Sequence, residues 1–201
     1  MIAKIIAFCG SGGTGKSSVL ELVSNKLNDS GIKNKIHPSV VREFYGIKGI
    51  SSEKELINQT EADKVKFQWE LANYFINRLN NEINNYDGYL LCDRSLYDHL
   101  AYWIYSGANT IKLEDYRKYI DLIREYDKNL IALVYFSYPV SFSKDVDPDS
   151  FRYAPPAKNL IIDSLIYKHA VEYCGNFLDL DDDTIGERAN IIHRWVKQLH
   201  G

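Results

Sequence analysis

The segment Gly10-Ser11-Gly12-Gly13-Thr14-Gly15-Lys16-Ser17 fits the phosphate-binding pattern G-x-x-x-x-G-K-[ST]. An apolar run from Ile2 to Cys9 precedes it and is typical of a strand that is buried on both faces. The following segment, Ser18 to Leu27, has apolar residues at spacings of three and four, which predicts a helix. Because a strand, a glycine-rich loop and a helix follow in the order that the pattern requires, we interpret residues 10–17 as a phosphate-binding loop, called the P-loop below.

The residue types of the P-loop explain how it would hold a nucleotide. Its four glycines allow backbone conformations that a β-carbon would forbid, so that successive N–H groups can surround phosphate oxygens. The start of the next helix adds positive potential. We expect Lys16 to reach the β- and γ-phosphates and Ser17 to place its hydroxyl on Mg²⁺. The residues predicted to contact ATP are Gly10, Ser11, Gly12, Gly13, Thr14, Gly15, Lys16, Ser17 and Ser18.

Length and composition limit the class of protein. The 201 residues suit a single α/β domain, residues 1–201. A formal net charge of −3 gives no overall basic excess, which argues mildly against a nucleic-acid-binding groove. The three cysteines are widely spaced, no apolar run reaches the length of a membrane-spanning helix, and no signal-peptide pattern is seen. We therefore expect a cytoplasmic protein with reduced thiols.

Apolar runs alternate with amphipathic segments along the rest of the chain. Strands are predicted at 35–41, 89–92, 130–136 and 177–180, and helices at 60–84, 96–105, 113–127, 157–173 and 184–199. This alternation predicts a P-loop NTPase fold: three α/β/α layers around a five-stranded parallel sheet. The segment 137–157 holds four of the five prolines and shows no period, so we expect a lid around 138–157.

The end of the third strand, Asp93-Arg94, is the second candidate for chemistry. Ligands of parallel α/β sheets sit beyond the carboxyl ends of the strands. The Asp93 carboxylate is suited to hold Mg²⁺ through water, or to accept a proton from an attacking hydroxyl. The planar guanidinium of Arg94 is suited to a phosphate. The alternative is that Asp93 caps the next helix and pairs with Arg94.

Five further side chains have both a functional and a plain structural interpretation. Arg42 and Glu43 follow the predicted second strand, where they would contact an acceptor's phosphate and sugar, or else form a surface ion pair. Gln68 lies in the apolar arc of its helix, so with Phe67 it would read a nucleobase, or else be a core amide bonded to backbone. Arg152 lies in the lid and would close on the transferred phosphate, or else be solvated.

These motifs resemble those of the P-loop nucleoside and nucleotide kinases. Phe67-Gln68 is similar to the base-reading pair of deoxynucleoside kinases, and Asp93-Arg94 to the thymidylate kinase motif. The segments 40–43 and 93–102 look like those of the ribosylnicotinamide-kinase-like group, which phages often encode. The resemblance implies ATP as donor, Mg²⁺, and an acceptor between the long helix and the lid. Asp93 departs from the Glu that is usual in many deoxynucleoside kinases, and the lid shows no clear second arginine.

The function that we predict is transfer of the γ-phosphate of ATP to a nucleotide-like acceptor. Lys16, Asp93, Arg94 and Arg152 would be catalytic, Ser17 and Asp93 would bind the metal, and Arg42, Phe67, Gln68 and Arg94 would bind the acceptor. A (deoxy)nucleoside monophosphate is favoured, because three arginines exceed what a neutral nucleoside needs. The alternatives are a nucleoside kinase, a kinase of nucleic-acid ends or modified bases, and a nucleotide-dependent switch.

The sequence leaves the state of association open. Three aromatic residues of the helix predicted at 96–105 would line a pocket or a homodimer interface equally well: Tyr97, Tyr102 and Trp103.

Overall fold

The computed structural model describes residues 2–50, 55–56, 58–138, 156–180 and 184–200. Strands and helices alternate through these ranges, as the sequence predicts. The strands are β1 (Lys4–Cys9), β2 (Asn34–His37), β3 (Tyr89–Asp93), β4 (Leu130–Phe136) and β5 (Phe177–Leu180). The helices with described bounds are α1 (Lys16–Asp29), α2 (Val41–Ile47), α3 (Glu61–Asn85), α4 (Leu96–Ser106), α5 (Leu113–Asp127), α6 (Pro156–Tyr173) and α7 (Ile185–His200).

The five strands form one parallel sheet in the order β2-β3-β1-β4-β5. In its centre Ala7 of β1 pairs with Cys92 of β3 on one side and with Leu133 of β4 on the other. The chain first builds the sheet on the β3 side of β1 and then crosses to the β4 side. The P-loop therefore follows the central strand at the point where the strand order reverses, which is where ligands of such sheets bind.

Alternating residues of the buried strands pack on opposite faces of the sheet. Ile5, Ala7 and Cys9 pack in a core with side chains of α3, α4, α5 and α6. Ile6 and Phe8 pack in a second core with side chains of α1 and α7. This period of two confirms the predicted three-layer architecture and explains why β1 has no polar position between Ile5 and Cys9.

The second strand ends earlier than predicted. A strand over 35–41 was expected, but β2 ends at His37 and the chain turns into the short helix α2 at Val41. Pro38 explains the difference, because proline has no N–H to donate to a strand ladder. Arg42 and Glu43 therefore lie on a helix above the sheet edge, and the prediction that they directly follow a strand is wrong.

The bounds of the other predicted strands and helices are confirmed to within two residues. Thr60 caps α3, since its side chain accepts a hydrogen bond from the Asp63 backbone N–H at 3.2 Å. Most of the predicted lid, residues 139–155 with Arg152, lies outside the described residues.

The described residues also bear on the predictions about membrane-spanning helices and about the cysteine thiols. None of the helices searched there has both the length and the apolar character needed to cross a membrane. Cys9 and Cys92 are buried in the sheet as free thiols, and burial raises the pKa of both.

Candidate active site

The backbone of the P-loop explains three of its four glycines. Gly10, Gly13 and Gly15 have φ values of +140°, +81° and +81°, a region that other residues rarely adopt. A β-carbon on Gly10 would also collide with the carbonyl oxygen of Phe136 on the neighbouring strand β4. Gly12 has no positive φ, and a β-carbon there would meet no atom within 4 Å. The expectation that all four glycines are conformationally required is therefore wrong at Gly12.

Lys16, the first residue of α1, is folded back into the P-loop. Its ammonium donates hydrogen bonds to the carbonyl oxygens of Gly10 at 2.9 Å and Ser11 at 2.6 Å, and to Oγ1 of Thr14 at 3.0 Å. Burial, together with the nearby charge of Arg94, lowers the pKa of Lys16 to about 8. The loop thus holds a cation at its centre by means of its own carbonyl groups.

Ser17 and Asp93 meet at the start of α1 and the end of β3. The Ser17 hydroxyl donates to Oδ2 of Asp93 at 2.8 Å. The pairing of β1 with β3 produces this contact, because Phe8 lies opposite Asp93 in the register. A hydroxyl and a carboxylate side by side are hard oxygen ligands of the kind that Mg²⁺ takes. Within the described ranges, no three His, Cys, Asp or Glu residues are grouped so that they could hold a metal ion, so a metal bound here would complete its coordination with phosphate and water.

Arg94, directly after β3, contacts the P-loop at Gly10. It has a φ of +105°, an uncommon conformation for a residue with a side chain. Its guanidinium donates to the Gly10 carbonyl at 3.1 Å and to Oδ1 of Asp98 at 3.2 Å, and lies 5.7 Å from the ring centre of Tyr102. Arg94 borders the cleft described below, but the structure shows its guanidinium bound to the loop.

Asp98 ties the P-loop to α4, and the sequence interpretation gave it no role. The side chain is 1% exposed. It accepts hydrogen bonds from the backbone N–H of Gly10 at 3.1 Å and of Ser95 at 2.8 Å, and from the Ser95 hydroxyl at 2.7 Å. The pattern Ser95-x-x-Asp98 is a capping box, a signal that is visible in the sequence. The contact with Gly10 could not be read from it, because it joins positions 88 residues apart.

A cleft of about 430 Å³ opens in front of the P-loop. Its walls come from the P-loop, the entrance to α2, the end of β3, and from α4 and α6. The described lining residues are Gly12, Gly13, Thr14, Gly15, Lys16, Ser17, Ser18, Ser39, Val41, Arg42, Tyr45, Asp93, Arg94, Tyr102, Lys158 and Asn159. Gly10 and Ser11 are not among them, and Ser11 is fully buried.

Arg42 and Glu43 were both predicted to contact the acceptor, but the structure gives them different surroundings. Arg42 is exposed and lines the cleft from α2. Glu43, beside it, accepts hydrogen bonds from the Tyr74 hydroxyl at 2.6 Å and from Arg78 at 2.5 Å. The structural alternative, an ion pair at the surface, is therefore the one that the structure shows for Glu43.

Phe67 and Gln68 are not among the described residues of the cleft wall. Phe67 is buried, with its ring 5.2 Å from Phe44 and 5.5 Å from Tyr45, both on α2. Gln68 follows on α3, where it is half-buried. Phe67 thus packs against two aromatic rings of the same chain, and base reading by this pair is not supported by the geometry.

Six residues of the cleft wall were not predicted as site residues: Ser39, Val41, Tyr45, Tyr102, Lys158 and Asn159. Of the three aromatic residues of α4 named in the sequence analysis, Tyr97 and Trp103 are buried, and Tyr102 lines the cleft. Asn159 is 5% exposed, and its Oδ1 has no hydrogen-bond partner within the part of the chain that the structure describes. No local sequence pattern marks these residues, because α6 reaches the P-loop only through the packing of the helices.

Comparisons with known proteins agree with this architecture. A family model described as an AAA domain matches residues 5–188. No curated protein matches the sequence. The chain resembles a solved complex of NadR with NAD and AMP-PNP, with a TM-score of 0.63 and 13% identity over 98% of this chain, and it spans 50% of the NadR chain.

Two solved structures of deoxyadenosine kinase from M. mycoides are also similar, each over 96% of this chain and 99% of theirs. One contains the products dCMP and a flexible dCDP, with a TM-score of 0.67 and 16% identity. The other contains dATP, with a TM-score of 0.65 and 17% identity. At such identities the similarity establishes the fold. Since the family model covers nearly the whole length, the chain belongs to the AAA domain family of P-loop proteins, and its fold matches that of the solved P-loop nucleoside kinases.

Proposed function

We propose that this protein is an ATP-dependent phosphotransferase whose acceptor is a nucleotide-like molecule, with a nucleoside monophosphate as the first candidate. One observation carries the proposal. A single cleft is lined by residues 12–17 of the P-loop, the paired oxygens of Ser17 and Asp93, and an exposed cation, Arg42, on a separate helix. Donor phosphates, metal and acceptor would thus share one space, as phosphoryl transfer requires.

The donor side of the cleft rests on the P-loop. Backbone N–H groups between Gly12 and Lys16 and the positive end of α1 would hold the phosphates of ATP. The Lys16 ammonium would contact the β- and γ-phosphates, where developing negative charge needs stabilisation. Ser17 and Asp93 would hold Mg²⁺, which when bound supplies further charge neutralisation. Arg152 remains a candidate for closing on the transferred group.

The acceptor side is formed by α2, α4 and α6. Arg42 would form a charge-assisted hydrogen bond with an acceptor phosphate, and Lys158, which lines the cleft from α6, adds positive charge. The ring of Tyr45 or Tyr102 would pack on a planar base. Asp93, at the junction of the two sides, would accept the proton if the attacking group is a hydroxyl.

A nucleoside acceptor is the second candidate, and the position of Arg94 favours it. The preference for a monophosphate rested on three arginines being available. The Arg94 guanidinium donates to the Gly10 carbonyl and to Asp98, so it is already engaged with the P-loop and its neighbour. Of the two that lie within the described residues, Arg42 is exposed in the cleft and Arg94 is half-buried. The M. mycoides deoxyadenosine kinase, bound to dCMP and dCDP, has the same fold.

The test is ATP turnover with Mg²⁺ against nucleosides, nucleoside monophosphates and a short DNA, using wild type, Lys16→Ala, Arg42→Met and Arg117→Met. Arg117 is an exposed arginine on α5 and serves as the matched control. With a monophosphate acceptor, Arg42→Met should raise the acceptor KM about tenfold or more and leave the KM of ATP unchanged, since a hydrogen bond to a charged group is lost.

The outcomes separate the candidates. Acceleration by a nucleoside, with an unchanged KM in Arg42→Met, would establish the second candidate. Acceleration by DNA alone would point to a kinase of nucleic-acid ends. If ATP binds, no acceptor accelerates its turnover and Lys16→Ala behaves as wild type, the phosphotransferase proposal fails and a nucleotide-dependent switch becomes the better explanation.

A further inference from the structure

Arg188, near the start of α7, is bound to the P-loop although 174 residues separate them in the sequence. Its Nη1 donates a hydrogen bond to the Thr14 carbonyl oxygen at 3.0 Å. The residue is 3% exposed, and its guanidinium lies 5.5 Å from the ring centre of Phe136. Burying an arginine side chain costs free energy unless its charged group is hydrogen-bonded. The question is therefore what the contact with Thr14 does for the P-loop.

Arg188 lies in the well-capped first turn of α7. Thr184 and Glu187 form a reciprocal cap at the start of α7, with the Thr184 N–H and hydroxyl donating to Glu187 at 3.0 and 2.7 Å, and the Glu187 N–H donating to Thr184 at 3.3 Å. The Arg188 N–H closes the first turn by donating to the Thr184 carbonyl at 3.0 Å. Ala189 and the next turns of α7 pack in the same core as α1. The backbone of Arg188 is therefore positioned next to the helix that begins at Lys16.

Peptide geometry connects this contact with the cleft. In a trans peptide the C=O and N–H groups point in opposite directions. Because the Thr14 carbonyl points to Arg188, the N–H of Gly15 points away from Arg188. Gly15 lines the cleft, whereas Arg188 is not among its described lining residues. The peptide between Gly10 and Ser11 is held in the same way, with its carbonyl bound by Arg94 and Lys16.

We propose that Arg188 is a positioning residue for ATP, which holds the Thr14 carbonyl behind the P-loop and thereby directs the Gly15 N–H toward the phosphates. The inference rests on the proposed function, since it assigns Arg188 to the donor side of that site. Arg94 and Arg188 together fix the two ends of the loop, at Gly10 and at Thr14. A buried positive charge behind the loop also favours an anion in front of it.

The test compares Arg188→Met and Arg188→Lys with Arg194→Met, a control at an exposed arginine on the same helix. Calorimetry gives the affinity for ATP and for inorganic triphosphate, and thermal melting reports on folding. We expect Arg188→Met to weaken both affinities about tenfold or more, because a hydrogen bond from a charged group is lost. Arg188→Lys should be intermediate, and Arg194→Met should match wild type.

Steady-state kinetics separate positioning from a merely structural role. Positioning predicts a higher KM for ATP with an unchanged acceptor KM. Loss of folded protein alone would lower kcat and leave both KM values unchanged, and this result would overturn the inference. If Arg188→Met does not fold, Arg188→Lys decides, because a lysine has no planar fork. Wild-type affinity for triphosphate in a folded Lys variant would then overturn the inference.

The two proposals fail in different ways. If wild type binds neither ATP nor inorganic triphosphate, the proposed function fails and the assignment of Arg188 fails with it. If wild type binds both and a folded Arg188→Met protein binds them equally well, the assignment of Arg188 alone is wrong.

Discussion

Gly10 and Gly12 look alike in the P-loop pattern but have different physical requirements. Gly10 has a φ of +140° and no room for a β-carbon beside Phe136, whereas Gly12 has neither restriction. We expect Gly10→Ala to lower the free energy of unfolding by at least about 2 kcal/mol, from strain and overpacking. Gly12→Ala should change it by less than about 1 kcal/mol. Urea unfolding of both variants checks this, and equal losses would contradict it.

Lys16 makes ATP binding dependent on pH. Its pKa is lowered to about 8 by burial and by Arg94, and a bound phosphate would raise it again. Binding above pH 8 should therefore take up a proton, and the ATP affinity should fall by up to about tenfold per pH unit as the free protein loses its ammonium charge. Calorimetry in two buffers of different ionisation enthalpy measures the uptake.

Lys16→Met is the control for this proton uptake, since it has nothing to titrate at that position. Uptake that persists in Lys16→Met would assign the proton to another group. A wild-type ATP affinity that is the same at pH 7 and pH 9.5 would contradict the role of the Lys16 charge.

At the scale of single elements, the start of α4 combines two tasks. Asp98 closes the capping box with Ser95 and also accepts the Gly10 N–H, so one carboxylate fixes the helix and the P-loop. The carboxylate is buried and also pairs with Arg94. The carboxylate that caps α4 therefore also orients Gly10, the first residue of the P-loop.

Replacing this carboxylate should affect stability and binding together. We expect Asp98→Asn to lower the free energy of unfolding by about 2–4 kcal/mol, because Arg94 loses its buried partner. The affinity for ATP should fall as well. Asp121→Asn is the control, since Asp121 is an exposed partner of Arg124 on α5, and it should cost less than about 0.5 kcal/mol. Equal stability of the two variants in urea would contradict the role of Asp98.

Elements with a strong local signal could be predicted from the sequence. The predicted bounds of the strand 130–136 and of the helix 113–127 equal the observed ones, because their apolar periods are clear and turn residues flank them. The helix α2 was missed. Only seven residues form it, and its apolar side chains are explained by packing on α3, which is not a local property of the segment.

At the scale of the whole molecule, the cleft arises from the strand order. Because β1 lies between β3 and β4, the P-loop, Asp93 and Phe136 meet at one edge of the sheet. The two helical layers then supply the other residues that line the cleft or bind the P-loop. Tyr102 and Asn159 come from the layer of α4 and α6, whereas Arg188 comes from the layer of α7.

The sequence by itself determined the P-loop, the parallel sheet and the placing of Asp93 near Ser17, since each depends on a local pattern or on a general rule for parallel strands. Only the tertiary structure decided what the arginines contact: Arg42 lines the cleft, while Arg94 and Arg188 bind the carbonyl groups of the P-loop. The same holds for Phe67, which packs on α2. The physical reason is that a side chain's partner depends on the packing of distant helices, and the local periodicity that predicts a helix does not specify that packing.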